Sequence, residues 1–179
     1  MPAEHHDSRV SERIEAFLEG PTGQARTRSR AGLRRPRRTI VLVSQLEWRE
    51  ALLREEVRLR RYGRPATVMV VDVAPGRAGD HAAAALTAEQ LVAPLLEAIR
   101  QEARETDQVV RTSATRLHLL LPETGAVDAD QVAERLRRAA RDRLNGHGDA
   151  HRLRVEFGTA SHGGSLGDAL EETERRLAD

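Results

Sequence analysis

The chain has 179 residues, of which 39% are hydrophobic and only 2% aromatic, so it is long enough for one domain with an aliphatic core. It contains no cysteine, which excludes a disulfide framework, a thiolate metal site and a cysteine nucleophile. With so few aromatic residues, nothing in the sequence suggests a platform on which nucleic-acid bases stack, and no DNA partner is expected.

The formal net charge is +1, but the charges are unevenly distributed along the chain. Apart from histidine, all of its basic residues are Arg. Residues 20–46 hold seven Arg and no acid, whereas the segments before and after them are both acidic. We interpret the basic run as a solvated linker, while contact with phosphate, an anionic membrane surface or an acidic protein partner stays open.

The beginning of the chain has the pattern of a short helix followed by a linker. Apolar residues at helical spacing predict a helix over residues 8–18, which Gly20 and Pro21 end. The residues that follow are rich in Gly, Pro, Ser and Arg and have little to bury. Residues 1–38 are therefore predicted to be a short helix plus an Arg-rich disordered linker, and residues 39–179 the folded domain.

No apolar stretch approaches the roughly 18 residues that span a bilayer. The N-terminus also lacks a basic region followed by an apolar one, the pattern of a secretion signal. The sequence therefore predicts a cytoplasmic protein without a transmembrane segment.

The remainder of the chain alternates between helical and strand patterns. The predicted helices are 46–62, 81–104, 128–144 and 166–177, and the predicted strands are 66–73, 108–112, 115–121 and 153–160. So few residues separate the two middle strands that they are predicted to form a β-hairpin over residues 108–121. This order predicts an α+β domain with a mixed central sheet of ferredoxin-like type, flanked by helices.

Four segments resemble the GGDEF family of diguanylate cyclases, both in their amino-acid sequence and in their order along the chain. They read LREEVRLRRYGRPATVMVVDV, RETDQVVRTSATRLHLLLPETG, ADQVAERLRRA and LRVEFGTASHGG, and they extend over roughly residues 45–179. The resemblance implies the nucleotide-cyclase palm fold, with an acidic metal-binding position at Asp72 and the signature turn at residues 113–117.

The signature turn lacks the residues that cyclase chemistry needs. In the family it reads GGDEF or GGEEF, where the glycines let the backbone approach the nucleotide and the acids hold magnesium at the GTP phosphates. The five positions here are Ser113, Ala114, Thr115, Arg116 and Leu117. Asp72 alone cannot assemble a two-metal site, and it could instead be an acid that caps a turn. We expect Asp72 and residues 113–116 to be a vestigial active site, with no catalytic residue, bound metal or cofactor.

The family also has an inhibitory site for cyclic di-GMP, and this sequence matches that site better than it matches the signature turn. The site consists of an RxxD motif before the hairpin and an Arg from the next helix, and Arg104, Asp107 and Arg135 fill these positions. A guanidinium can donate two hydrogen bonds to guanine, and a carboxylate can accept hydrogen bonds from it. Their spacing at a helix end would put Arg104 and Asp107 side by side. The alternative is a surface ion pair and a solvated Arg135.

The resemblance thus implies a catalytically inactive GGDEF-like signalling domain that binds cyclic di-GMP and passes its state to an unidentified protein partner. A bound dinucleotide that bridges two domains would give a homodimer. Two alternatives remain open. One is a scaffold that binds other proteins without a ligand, and the other is weak nucleotide chemistry around Asp72.

Overall fold

A computed structural model of the chain describes residues 42–75, 87–144 and 151–178. Within these ranges there are four helices and four strands. The helices are α1 (Gln45–Tyr62), α2 (Ala88–Glu102), α3 (Ala126–Leu144) and α4 (Leu166–Ala178), and the strands are β1 (Ala66–Pro75), β2 (Gln108–Arg111), β3 (Arg116–Leu121) and β4 (His151–Ala160). The predicted helix over residues 8–18, the linker and the domain boundary at residue 39 lie outside the described residues and stay predictions.

The predicted α+β class and the hairpin between β2 and β3 are confirmed, since β2 and β3 pair antiparallel across a short turn. The helix predicted over residues 81–104 differs from α2 at both ends, although residues 81–86 lie outside the described ranges. Thr87 is extended and caps α2, because its side chain accepts a hydrogen bond from Gln90 N while the Gln90 side chain accepts one from Thr87 N. At the other end Ala103 is extended, so α2 stops at Glu102.

The four strands form one sheet in the order β2-β3-β1-β4. All three pairs of neighbouring strands are antiparallel, so the prediction of a mixed sheet needs correction. Helical crossovers do connect β1 to β2 and β3 to β4, and each connected pair runs in one direction. An antiparallel strand lies between the two members of each pair, as in a split βαβ unit. Among the described residues, the one parallel contact is an isolated bridge between Leu42 and Val109.

Helices cover both faces of the sheet. One face packs against α2 and α3 through residues such as Val71, Leu95 and Leu136, and the other packs against α1 and α4 through Trp48 and Leu166. The central position predicted for β1 is confirmed, because residues 66–71 are buried. Since side chains alternate along a strand, Asp72 lies on the same face as α1 and α4.

Helix α4 approaches β4 very closely at Gly158. A Cβ atom at this position would lie 2.5 Å from the Ala169 carbonyl oxygen and 2.6 Å from Thr173 Oγ1. The absence of a side chain therefore sets the distance between α4 and the sheet. None of the described helices has the length and apolar character needed to cross a membrane.

Candidate functional site

The turn between β2 and β3 lies beside the end of β1. Asp72 pairs in register with Arg116 of β3, and Val73 N donates a hydrogen bond of 3.1 Å to Thr115 O. Thr115 Oγ1 donates to Asp72 Oδ1 at 3.1 Å. The structure thus brings Asp72 together with Thr115 and Arg116, three of the residues singled out from the sequence.

Arg116 places a positive charge next to the Asp72 carboxylate. Its Nε lies 3.7 Å from Asp72 Oδ1, and this nitrogen is buried without a hydrogen-bond partner among the described residues. Opposite unit charges about 4 Å apart attract each other by about 4 kcal/mol at an effective dielectric of about 20. A metal ion at Asp72 would meet a repulsion of similar size from Arg116. The guanidinium therefore neutralises the carboxylate and disfavours a divalent cation there.

A second Arg flanks Asp72 from β4. Arg154 is the partner of Asp72 in the register between β1 and β4. Its guanidinium points to the end of α4, where it donates a hydrogen bond to Leu177 O. No group of three or more His, Asp or Glu side chains within 42–75, 87–144 and 151–178 could hold a metal ion.

The tip of the hairpin is closed by its own side chains. Ser113 Oγ accepts hydrogen bonds from Thr115 N and Arg116 N at 3.3 and 3.1 Å. Arg111 donates from Nε to Ser113 O at 3.0 Å and from a terminal nitrogen to Ala114 O at 2.5 Å. Sequence reasoning missed Arg111, although both contacts are local, with the carbonyl groups two and three residues later. The turn is therefore held without a ligand.

His118 lies two residues after Arg116 on β3, on the same face of the sheet, which α1 and α4 cover. Its ring is 5% exposed and packs edge-on against Trp48, with 6.1 Å between ring centroids. Its Nε2 lies 3.1 Å from Glu174 Oε1, but without the geometry of a hydrogen bond. Burial lowers the pKa of His118, which Glu174 partly offsets and Arg116 reinforces. The imidazole is therefore neutral near pH 7, where an unfolded imidazole is already mostly neutral.

Acidification is expected to destabilise the fold through His118. The unfolded imidazole takes up a proton near its ordinary pKa of 6.5, while the buried one takes it up only at lower pH. The free energy of unfolding should therefore fall as the pH drops through about 6.5, and the His118 contribution should level off below the folded pKa. Urea unfolding at a series of pH values measures this. His118→Gln should flatten the slope, and the exposed His162→Gln should leave it unchanged.

The RxxD residues lie on a turn after α2 and not on a helix end, which corrects the expected geometry. Arg104 is exposed, while Asp107 is 9% exposed. Asp107 Oδ2 accepts a hydrogen bond of 2.6 Å from the backbone N–H of Arg104, and Asp107 N donates to Arg104 O at 3.1 Å. The two residues are close because the carboxylate closes this turn. The Arg104 side chain remains on the surface.

Arg135 of α3 reaches the same end of α2. Its Nε donates to Glu102 Oε2 at 2.9 Å, and about half of its side chain is exposed. Glu102 is the last residue of α2, two residues before Arg104. The structure thus brings Arg135 to the segment that carries Arg104, but in an ion pair that the sequence did not predict. An exposed pair of this kind contributes less than about 1 kcal/mol and can be exchanged for a ligand.

The fold matches solved structures of diguanylate cyclases. A DGC protein from Thermotoga maritima aligns with a TM-score of 0.58 at 14% identity, over 75% of this chain and 95% of that one. The GGDEF domain of DgcB from Caulobacter crescentus, in complex with c-di-GMP, aligns with a TM-score of 0.57 at 16% identity, over 82% and 91%. This chain has the fold of a GGDEF domain.

The fold is also similar to that of the diguanylate cyclase SiaD from Pseudomonas aeruginosa, solved in complex with its activator SiaC. SiaD aligns with a TM-score of 0.58 at 20% identity, over 96% of this chain and 65% of SiaD. No protein-family model matches the sequence, and no curated protein matches it. At these identities the likeness to GGDEF domains establishes the fold alone.

Proposed function

We propose that the chain is a catalytically inactive GGDEF-like signalling domain that binds cyclic di-GMP through Arg104, Asp107 and Arg135. The observation that carries the loss of catalysis is the guanidinium of Arg116 beside Asp72, where the resemblance implies an acid that holds a metal ion. Two contacts near the end of α2 support ligand binding. Asp107 accepts a hydrogen bond from Arg104 N, and Arg135 pairs with Glu102, two residues before Arg104.

The loss of catalysis follows from charge and from the closure of the turn. Phosphoryl transfer from GTP needs divalent cations to neutralise phosphate oxygens, and carboxylates must hold those cations. Here Asp72 is compensated by Arg116 and accepts a hydrogen bond from Thr115. The carbonyl groups of Ser113 and Ala114 accept hydrogen bonds from Arg111. The backbone at the tip of the hairpin is therefore already engaged by the protein itself.

The ligand site would need little rearrangement to accept a guanine base. Arg104 is exposed, and its backbone is fixed by the Asp107 carboxylate, so its planar guanidinium can pair with guanine O6 and N7. Arg135 can exchange Glu102 for the ligand phosphate, because an exposed ion pair is easily replaced. The DgcB GGDEF domain, which shares this fold, was solved in complex with c-di-GMP.

A scaffold that binds a protein partner without a ligand is the second candidate. It is favoured because two of the proposed ligand residues already make contacts within the chain. Asp107 closes the turn, and Glu102 neutralises Arg135. The complex of SiaD with its activator is an example of a diguanylate cyclase assembled with another protein. In this role the fold would serve as an interaction surface alone.

Calorimetry with cyclic di-GMP separates the two candidates. The unmodified protein should release or absorb heat with a saturable curve. Arg104→Ala, which removes a bidentate contact with the base, should weaken binding by about tenfold to a hundredfold. Asp107→Asn and Arg135→Ala should also weaken it. Arg141→Ala is the matched control, because Arg141 is exposed on the same helix as Arg135.

An unmodified protein that gives no heat with cyclic di-GMP would remove the receptor and leave the scaffold. An equal loss in the Arg141→Ala variant would mean that the ligand binds through general positive charge. Formation of a dinucleotide from GTP and magnesium by the unmodified protein would contradict the loss of catalysis.

A further inference from the structure

Helix α1 carries an apolar stripe on its outer face. Leu46, Leu53 and Val57 are 66%, 68% and 63% exposed. At 100° per residue they lie within about 40° of one another on the helix circumference, in a line about 16 Å long. Exposed apolar side chains that are scattered singly are ordinary, but three in a line form a surface.

The stripe is not required for the core of the domain. The opposite face of α1 is already buried against the sheet and α4 through Trp48, Ala51 and Leu59. Helix α1 is therefore apolar on two faces, one that packs inward and one that faces solvent. A helix that only covered the sheet would have polar residues on its outer face.

Positive charge borders the stripe on both sides. Within about 60° of its centre lie Arg49, Arg60 and Arg61, with Glu50 as the one acid. Glu56, on the same helix, is turned away from solvent, where it accepts a hydrogen bond of 2.7 Å from Leu166 N and forms an ion pair of 3.1 Å with Arg60. The Arg60 side chain is 73% exposed, so it can exchange this pair for a lipid phosphate. In sequence, residues 20–46 hold seven Arg and no acid.

We propose that the outer face of α1 binds an anionic lipid membrane surface, with the stripe defined by Leu46, Leu53 and Val57 against the headgroups and acyl chain ends. A line of aliphatic side chains with Arg on both flanks is the arrangement of a helix that lies in a membrane interface. The Arg side chains extend sideways to lipid phosphates while their methylene groups stay near the apolar layer.

The shape and charge of the stripe favour a membrane over a protein. A helix of a partner binds in a groove, whereas the stripe is a convex ridge between exposed charged residues. A second copy of the chain would bring together two stripes whose flanks each carry a net positive charge, which electrostatic repulsion disfavours. A bilayer is flat and can supply negative charge along the whole ridge. Each Arg near such a surface strengthens binding by about fivefold.

Co-sedimentation of the full chain with lipid vesicles tests the proposal. The protein should sediment with vesicles of phosphatidylcholine and phosphatidylglycerol and remain in solution with phosphatidylcholine alone. Added salt should weaken binding. Leu53→Gln combined with Val57→Gln should weaken it by at least about tenfold, because both side chains lose apolar burial. The matched control is Val127→Gln, which changes a 74% exposed residue on α3 and should have no effect.

An unmodified protein that does not sediment with the anionic vesicles would overturn the proposal. Unchanged binding by the double variant would also overturn it, because the Arg-rich segment alone would then account for the attraction. Absence of vesicle binding together with a dimer in light scattering, abolished by the same variant, would assign the stripe to a second copy. Circular dichroism and thermal unfolding of each variant exclude a loss of fold, which is not expected at exposed positions.

Discussion

Replacing Gly158 with Ala is expected to lower the free energy of unfolding by about 2–4 kcal/mol. The new Cβ would lie 2.5 Å from the carbonyl oxygen of Ala169 and 2.6 Å from Thr173 Oγ1. Thr173 is fully buried and donates a hydrogen bond of 2.6 Å to the same carbonyl, so neither contact can move without disturbing α4. Relief requires α4 to move away from β4. Urea unfolding followed by circular dichroism measures the loss.

Gly167→Ala is the matched control for this substitution. Gly167 lies in the first turn of α4, and a Cβ there would approach Ser165 Oγ to 3.4 Å, an ordinary contact. This variant should leave stability unchanged or raise it by up to about 1 kcal/mol, because Ala restricts the unfolded chain. Equal stability of the two variants would show that the helix and the sheet are not in close contact at Gly158.

The order of helices and strands could be predicted because each element carries its own periodic pattern. The apolar run of β1, buried between two layers of helices, and the closely spaced β2 and β3 were both recognisable. The direction of neighbouring strands could not be predicted in the same way. A crossover in sequence says that two strands run in one direction, but not that a third strand is inserted between them. The predicted start of α2 was wrong because the Ala-rich sequence favours a helix on both sides of Thr87. In the structure a capping box at Thr87 begins the helix.

The types of residue at the candidate site were readable from the sequence, but their partners were not. The acids missing from the turn and the presence of Arg116 follow from a comparison of single positions. Hydrogen bonds from Arg111 to Glu89 and from Arg135 to Glu102 depend on how separate elements pack. Such contacts join residues up to 33 positions apart, and no local pattern encodes them. They decide which side chains are free for a ligand.

The combined substitutions Thr115→Asp and Arg116→Glu are expected to create a divalent cation site beside Asp72. They remove a guanidinium 3.7 Å from the Asp72 carboxylate and a hydroxyl that donates to it. They add two carboxylates, one in the hairpin turn and one at the start of β3. At about 4 kcal/mol per pair of unit charges about 4 Å apart, exchanging a cation for an anion reverses the local potential. Three carboxylates can then hold a hard cation such as Mn²⁺, which serves as the probe.

Titration of Mn²⁺, followed by the loss of the free-ion signal in electron paramagnetic resonance, should show binding at least about tenfold tighter than in the unmodified protein. Without metal the variant should be less stable, because the three acids repel one another, and Mn²⁺ should restore stability by binding only the folded state. Arg138→Glu makes the same exchange of charge on the exposed surface of α3 and should leave Mn²⁺ affinity unchanged. Equally tight Mn²⁺ binding by the unmodified protein would mean that the guanidinium of Arg116 leaves Asp72 accessible to metal. In that case the positive charge of Arg116 would not account for a lost metal site, and the closed hairpin turn alone would remain as the reason for inactivity.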